Sequence, residues 1–146
     1  MSTVGTLLNT KGNHVWHAHP EQSVLDAITL MEEKGVGALA VVKDDRLVGI
    51  FSERDYARQV ILKGRTSKDT LVKDIMTRQV LVTHSEQSTN DCMALMTEKK
   101  IRHLPVMHGD KLVGMISLGD VVKEIIRGHE IKIQELENYI SWEENY

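Results

Sequence analysis

Leu47-Val48-Gly49-Ile50-Phe51-Ser52-Glu53-Arg54-Asp55 returns 65 residues later as Leu112-Val113-Gly114-Met115-Ile116-Ser117-Leu118-Gly119-Asp120. The Leu-Val-Gly, the Ser and the Asp are kept. Working outward, the same offset carries His19-Pro20-Glu21-Gln22-Ser23 onto His84-Ser85-Glu86-Gln87-Ser88, and Leu30-Met31-Glu32-Glu33-Lys34 onto Leu95-Met96-Thr97-Glu98-Lys99. Val15–Arg58 aligns with Val80–Lys123 without a gap, and 18 of the 44 pairs are identical. Matching at that density marks a duplicated structural unit. A duplication this compact implies two similar halves packed face to face, with binding sites in the clefts they share.

Hydrophobic spacing sets the elements within each copy. Residues 3–10 read as a short helix with Val4, Leu7 and Leu8 apolar, ended by Gly12. A strand is expected at 13–18. Ser23 then caps a helix to Lys34, with Asp26 completing a capping box and Val24, Ala27, Ile28 and Met31 forming one apolar stripe. Two strands, 38–42 and 46–51, make a hairpin, and Ser52 caps a helix ending at Gly64. The second copy predicts strand 80–83, helix 89–100, strands 104–107 and 111–116, and a helix from Gly119 to about Ile140. Val72, Ile75 and Met76 echo Val4, Leu7 and Leu8 at an offset of 68, so the leading helix is duplicated too. The expected division is residues 1–65, residues 66–128, and a C-terminal helical extension 129–146. The apolar residues of the last helix (Ile125, Ile126, Ile131, Ile133, Leu136, Ile140) exceed what a helix ending in water needs, which points to a partner surface for some of them.

Composition narrows the function. The net charge is −3 with no basic run, which argues against nucleic acid as a partner. No apolar stretch approaches the ~20 residues of a membrane span. The start has no basic segment followed by an apolar one, so no secretory signal is expected. A single Cys92, aligned with Ala27, forms no internal disulfide and reads as a core residue in a reducing, cytoplasmic setting.

A tandem of helix-strand-helix-strand-strand-helix units, each carrying Gly-apolar-apolar-Ser-x-x-Asp, resembles the cystathionine-β-synthase (CBS) domain pair, or Bateman module. Ile101-Arg102-His103-Leu104-Pro105-Val106 and Val72-Lys73-Asp74-Ile75-Met76-Thr77 are similar to family segments as well. The resemblance covers nearly the whole chain. It implies an α/β fold whose repeats are related by a pseudo-twofold axis. It also implies a regulatory sensor, not an enzyme, that binds an adenine nucleotide between the repeats. AMP is the first expectation, with NAD, ATP or S-adenosylmethionine as the others. A stand-alone pair, a homodimer and a separate regulated protein are further implications.

Candidate site residues follow from chemistry and from the resemblance together. Ser52/Asp55 and Ser117/Asp120 are capping boxes at strand-to-helix turns. The same geometry suits a nucleotide, because a helix N-terminus attracts phosphate and a carboxylate accepts ribose hydroxyls. Arg102-His103 stand where the first copy has Gly37-Ala38, and Arg54 is matched by Gly119, so the cations break the internal symmetry. The resemblance implies that Ser117 and Asp120 hold ribose, that Thr83, Leu104 and Pro105 line the base, and that Arg102, His103 and Arg54 meet phosphate. Two other functions remain open. One is a ligand-free structural or adaptor dimer. The other is a small metal-dependent enzyme using His14, His17 and His19, two of which would share a strand face but lack a completing carboxylate or Cys motif. A Ser117-His103-Asp120 triad lacks the nucleophile elbow and oxyanion loop that hydrolysis needs.

Overall fold

The computed structural model describes residues 2–144. Thr3 opens α1 (Val4–Lys11), its Oγ1 accepting the Thr6 N–H at 3.2 Å. Strand β1 is short (His17–Ala18) and pairs in parallel with β2 (Ala38–Lys43). Ser23 caps α2 (Val24–Lys34), which ends at left-handed Gly35. β2 and β3 (Arg46–Ser52) form an antiparallel hairpin. Its two-residue loop, Asp44-Asp45, takes the positive φ values that match strand twist. The second copy supplies α5 (Thr89–Lys99) and the hairpin β4 (His103–His108) with β5 (Lys111–Ser117). Both hairpins carry a bulge in the same place, at Val48 and Val113 inside Leu-Val-Gly.

Three expected elements come out differently. The strand at 80–83 reduces to one parallel bridge, Thr83 to Val106. Thr83 donates to the Pro105 carbonyl and accepts from the Met107 N–H, both at 2.9 Å. Pro105 stands where the first copy has Ala40, and it has no N–H with which to extend that ladder. The strand expected at 13–18 is likewise trimmed, and its exposed Trp16 packs edge-on against His14 and under the Lys34 ammonium instead of a neighbouring strand. The helix after Ser52 is α-helical only over α3 (Glu53–Asp55), then widens into a π-helical stretch, Tyr56–Ile61. Its counterpart α6 (Leu118–Glu144) continues unbroken.

The two leading helices change sides. α4 (Val72–Ile75) puts Val72 and Ile75, with the adjoining Met76, into the core built by Val24, Met31, Leu39, Val41, Phe51 and Val60. α1 puts Val4, Leu7 and Leu8 into the core of Cys92, Met96, Leu104, Val106, Ile116 and Val121. The repeated His-x-Glu-Gln-Ser loops receive them. Val72 and Lys73 donate to the carbonyls of Gln22 and Pro20, while Val4 and Gly5 donate to those of Gln87 and Ser85. These bonds satisfy N–H groups that a helix start leaves without intrahelical partners. Packing therefore crosses the expected chain division at 65/66, and each core is completed reciprocally by the other sequence unit. β3 and β5 lie against one another between the two cores.

Candidate functional site

The strand-to-helix turns lie at the junction of the repeats. At the first, the Asp55 N–H donates to Ser52 Oγ at 3.2 Å, while the Ser52 N–H donates to Asp55 Oδ2 at 2.9 Å. At the second, Asp120 and Ser117 repeat this at 3.1 and 2.8 Å. The first N–H of each helix is also committed to its own repeat, Glu53 to the Gly37 carbonyl and Leu118 to that of Arg102. What distinguishes the two turns is the remaining environment of each carboxylate.

Among the described residues, Asp55 meets only neutral donors. Besides Ser52, its Oδ1 accepts from Thr77 Oγ1 at 3.2 Å. It opens onto a cavity of about 700 Å³ between the repeats. One wall is Gly37, Ile50, Ser52–Asp55 and Arg58. The second is the connecting segment at Thr77 and Gln79–Leu81. The third is Lys99–His103 of the second repeat. Five cationic side chains (Arg54, Arg58, Lys99, Lys100, Arg102) face two carboxylates (Glu53, Asp55). That balance favours an anionic guest. Val80, Leu81 and Ile101 supply apolar surface beside these charges.

Asp120 is half-buried and already carries a cation. Lys11 Nζ lies 2.5 Å from its Oδ2 and 2.7 Å from the Met115 carbonyl oxygen. Burial alone pushes the Asp120 carboxyl up. The Lys11 ammonium and the Ser117 donors outweigh it and hold the group below the usual carboxylate range. His103 lies within the field of this pair and lines the cavity. Burial, with the nearby Lys11 and Arg102 cations, lowers its pKa against the opposing pull of Asp120. A Cβ on Gly37 would come 3.1 Å from His103 Cε1, so the absent side chain leaves room for the imidazole.

The structure thus brings together Ser52, Arg54, Asp55, Gly37, Arg102 and His103. It does not gather Ser117 and Asp120 with Thr83, Leu104 and Pro105 around that cavity. Thr83, Leu104, Pro105 and Ala38 are buried, with Thr83 Oγ1 turned to Gln87 and Cys92. Arg54 does cross to the second repeat, where it donates to the Lys100 carbonyl. Thr77, Gln79, Arg58 and Lys100 were missed because they carry no repeated signature. Lys99 is repeated from Lys34 but reads as a helix-end cation. Lys11 sits just beyond the helix read at 3–10, and nothing in its neighbours announces a partner 109 residues away.

The remaining candidates are accounted for locally. His19 Nδ1 accepts the Glu21 N–H at 3.0 Å and so serves as a turn acceptor. Among the described residues, no three His, Cys, Asp or Glu side chains converge to hold a metal. Burial pushes the Cys92 thiol up, away from nucleophile chemistry. No helix among the described residues is long and apolar enough to cross a membrane.

Comparison with known proteins agrees with the duplicated architecture. A family model described as CBS domain matches twice, at residues 8–61 and 72–127. A CBS domain-containing protein of Arabidopsis thaliana, CBSX3, named as mitochondrial, is 38% identical, the match covering 95% of this chain and 72% of that protein. The solved CBS domain NE2398 superposes with a TM-score of 0.83 at 46% identity, over 86% of this chain and 98% of that one. The CBS domain pair of MJ0100, solved with 5-methylthioadenosine and S-adenosyl-L-methionine, shares the fold with a TM-score of 0.77 at 21% identity, over 88% and 98%.

Proposed function

We propose that this chain, which belongs to the CBS domain family, is a regulatory module that takes an adenosine phosphate in the cavity between Ser52–Asp55 and Lys99–His103. CBS domain pairs are regulatory modules, and one pair of this fold is solved with adenosine-containing ligands. The observation that carries the reading is the cavity itself. It places Asp55, which has no ion-pair partner among the described residues, in one cavity with Arg54, Arg58, Lys99, Lys100 and Arg102. Asp55 Oδ1 is the acceptor for a ribose hydroxyl. Arg54 and Arg102 meet phosphate, for which the planar guanidinium is suited. Gln79, Val80 and Leu81 are the surface left for the base.

AMP is the ligand of first choice, and NAD or ATP would use the same groups. The excess of cations disfavours the sulfonium of S-adenosylmethionine. No catalytic step is part of this reading: the Ser52 and Ser117 hydroxyls cap helices, and half-buried His103 makes no side-chain hydrogen bond to a nucleophile among the described residues. The ligand's message passes to a separate regulated protein. A second copy of the chain covers the exposed apolar residues of α6. A reducing compartment, expected from the single Cys92, completes the reading.

Isothermal titration of AMP and adenosine against the wild type and Asp55→Asn tests it. Binding of AMP in preference to adenosine, weakened at least tenfold by Asp55→Asn, supports the proposal. Equal binding of AMP by both proteins, or none by either, rejects it.

A further inference from the structure

The duplication offers two strand-to-helix carboxylates, yet the structure treats them differently. Lys11 is the last residue of α1. It reaches Asp120 from a helix whose Val4, Leu7 and Leu8 are buried in the second core and whose first N–H groups are tied to Gln87 and Ser85. The ammonium is thus delivered by a fixed element, and it bridges Asp120 Oδ2 and the Met115 carbonyl. An offset of 68 counts from Lys11 to Gln79, but α4 ends at Ile75, so Gln79 lies beyond its helix while Lys11 closes α1. Gln79 is uncharged and lines the open cavity beside Asp55. The longer α1 thus carries a cation to Asp120, whereas among the described residues Asp55 receives only the Ser52 and Thr77 donors.

We propose that Lys11 is an internal cation that keeps the Asp120 cleft closed, so that each chain offers one open nucleotide site and one latent site. This rests on the reading of the Asp55 cavity as a nucleotide site. The physical reason is competition. Lys11 and the Ser117 N–H already hold Asp120 Oδ2, so a ribose diol that uses both carboxylate oxygens must share or displace a charge-assisted contact there. At Asp55 the rivals among the described residues are neutral, the Ser52 groups on Oδ2 and the Thr77 hydroxyl on Oδ1. The Lys11 and Asp120 side chains remain 37% and 23% exposed, so the pair is a closure that a single substitution opens, not a buried strut.

The test is the stoichiometry of AMP binding to the wild type, to Lys11→Gln, which removes the charge but keeps a polar side chain, and to Lys11→Ala, each checked for folding by circular dichroism. One equivalent per wild-type chain and two per Lys11→Gln or Lys11→Ala chain are expected. Adding Asp120→Asn to Lys11→Gln is expected to remove the second equivalent. Two equivalents on the wild type, or a single equivalent on both folded Lys11 variants, overturns the closure while leaving the Asp55 site standing. Absence of AMP binding by every protein overturns the site reading and the closure with it.

Discussion

Met76 Sδ stands 2.6 Å from the point a Cβ on Gly49 would occupy. Leu8 Cδ1 and Cδ2 stand 2.9 Å from the corresponding point on Gly114. Gly49 and Gly114 are thus kept in both copies because an exchanged helix rests on each hairpin there. Substitution to Ala is expected to destabilise by about 1–3 kcal/mol, the usual range for overpacking. Gly49→Ala is expected to cost more, since its Cβ also meets the Thr77 carbonyl at 3.0 Å, and backbone yields less than a side chain. Urea unfolding measures both, and Leu8→Ala is expected to recover part of the Gly114→Ala loss.

Lys100 closes α5 in the left-handed region at φ 56°, where the first copy uses Gly35. A side chain there costs roughly 1 kcal/mol relative to glycine. Lys100→Gly is therefore expected to raise stability by about that amount and to weaken AMP binding by removing one cavity cation. Thermal unfolding with and without AMP separates the two effects.

Arg54 and Arg102 come from different repeats yet line one cavity. Arg54→Ala and Arg102→Ala are each expected to weaken AMP about tenfold or more while leaving adenosine nearly unchanged, a charge-assisted contact being worth about 1.5–3 kcal/mol. The AMP affinity is expected to fall with added salt. Calorimetry at two ionic strengths checks this. Equal loss for AMP and adenosine would place the arginines away from the phosphate.

His103 titrates below its ordinary 6.5 in the folded chain, because of burial and the Lys11 and Arg102 cations, against Asp120. A lowered histidine pKa means that the unfolded chain binds the proton first. Its contribution to stability is therefore full above about pH 6.5 and is lost as pH falls below it. Asp120, lowered from 3.8, adds a second loss only in more acid solution. His103→Gln is expected to flatten stability between neutral pH and about pH 5, as read by thermal melts across that range.

α6 leaves Ile126, Ile131, Ile133, Leu136, Tyr139 and Ile140 each about half exposed. Light scattering is expected to show twice the 16.5 kDa chain mass, and truncation after Arg127 to shift the population toward monomer. A wild-type monomer at micromolar concentration would leave the apolar stripe without a second copy as its partner.

Much of this was legible in the sequence for a local reason. N-caps at Ser23 and Ser88, capping boxes at Ser52 and Ser117, the apolar stripe of α2 and the paired hairpins depend on residues within a turn or two of each other. Duplication then showed each pattern twice. Departures arose where one residue changed a local rule, as Pro105 did by withdrawing a ladder donor in place of Ala40. Tertiary structure alone decided which repeat each leading helix completes. Val4, Leu7 and Leu8 resemble Val72, Ile75 and Met76 too closely for composition to assign either set to a core. It also decided which Ser-x-x-Asp turn opens on a cavity. The motifs are alike in sequence, but a distant lysine settles on one carboxylate and a neutral threonine on the other. That outcome depends on chain crossings in space, which no spacing along the sequence records.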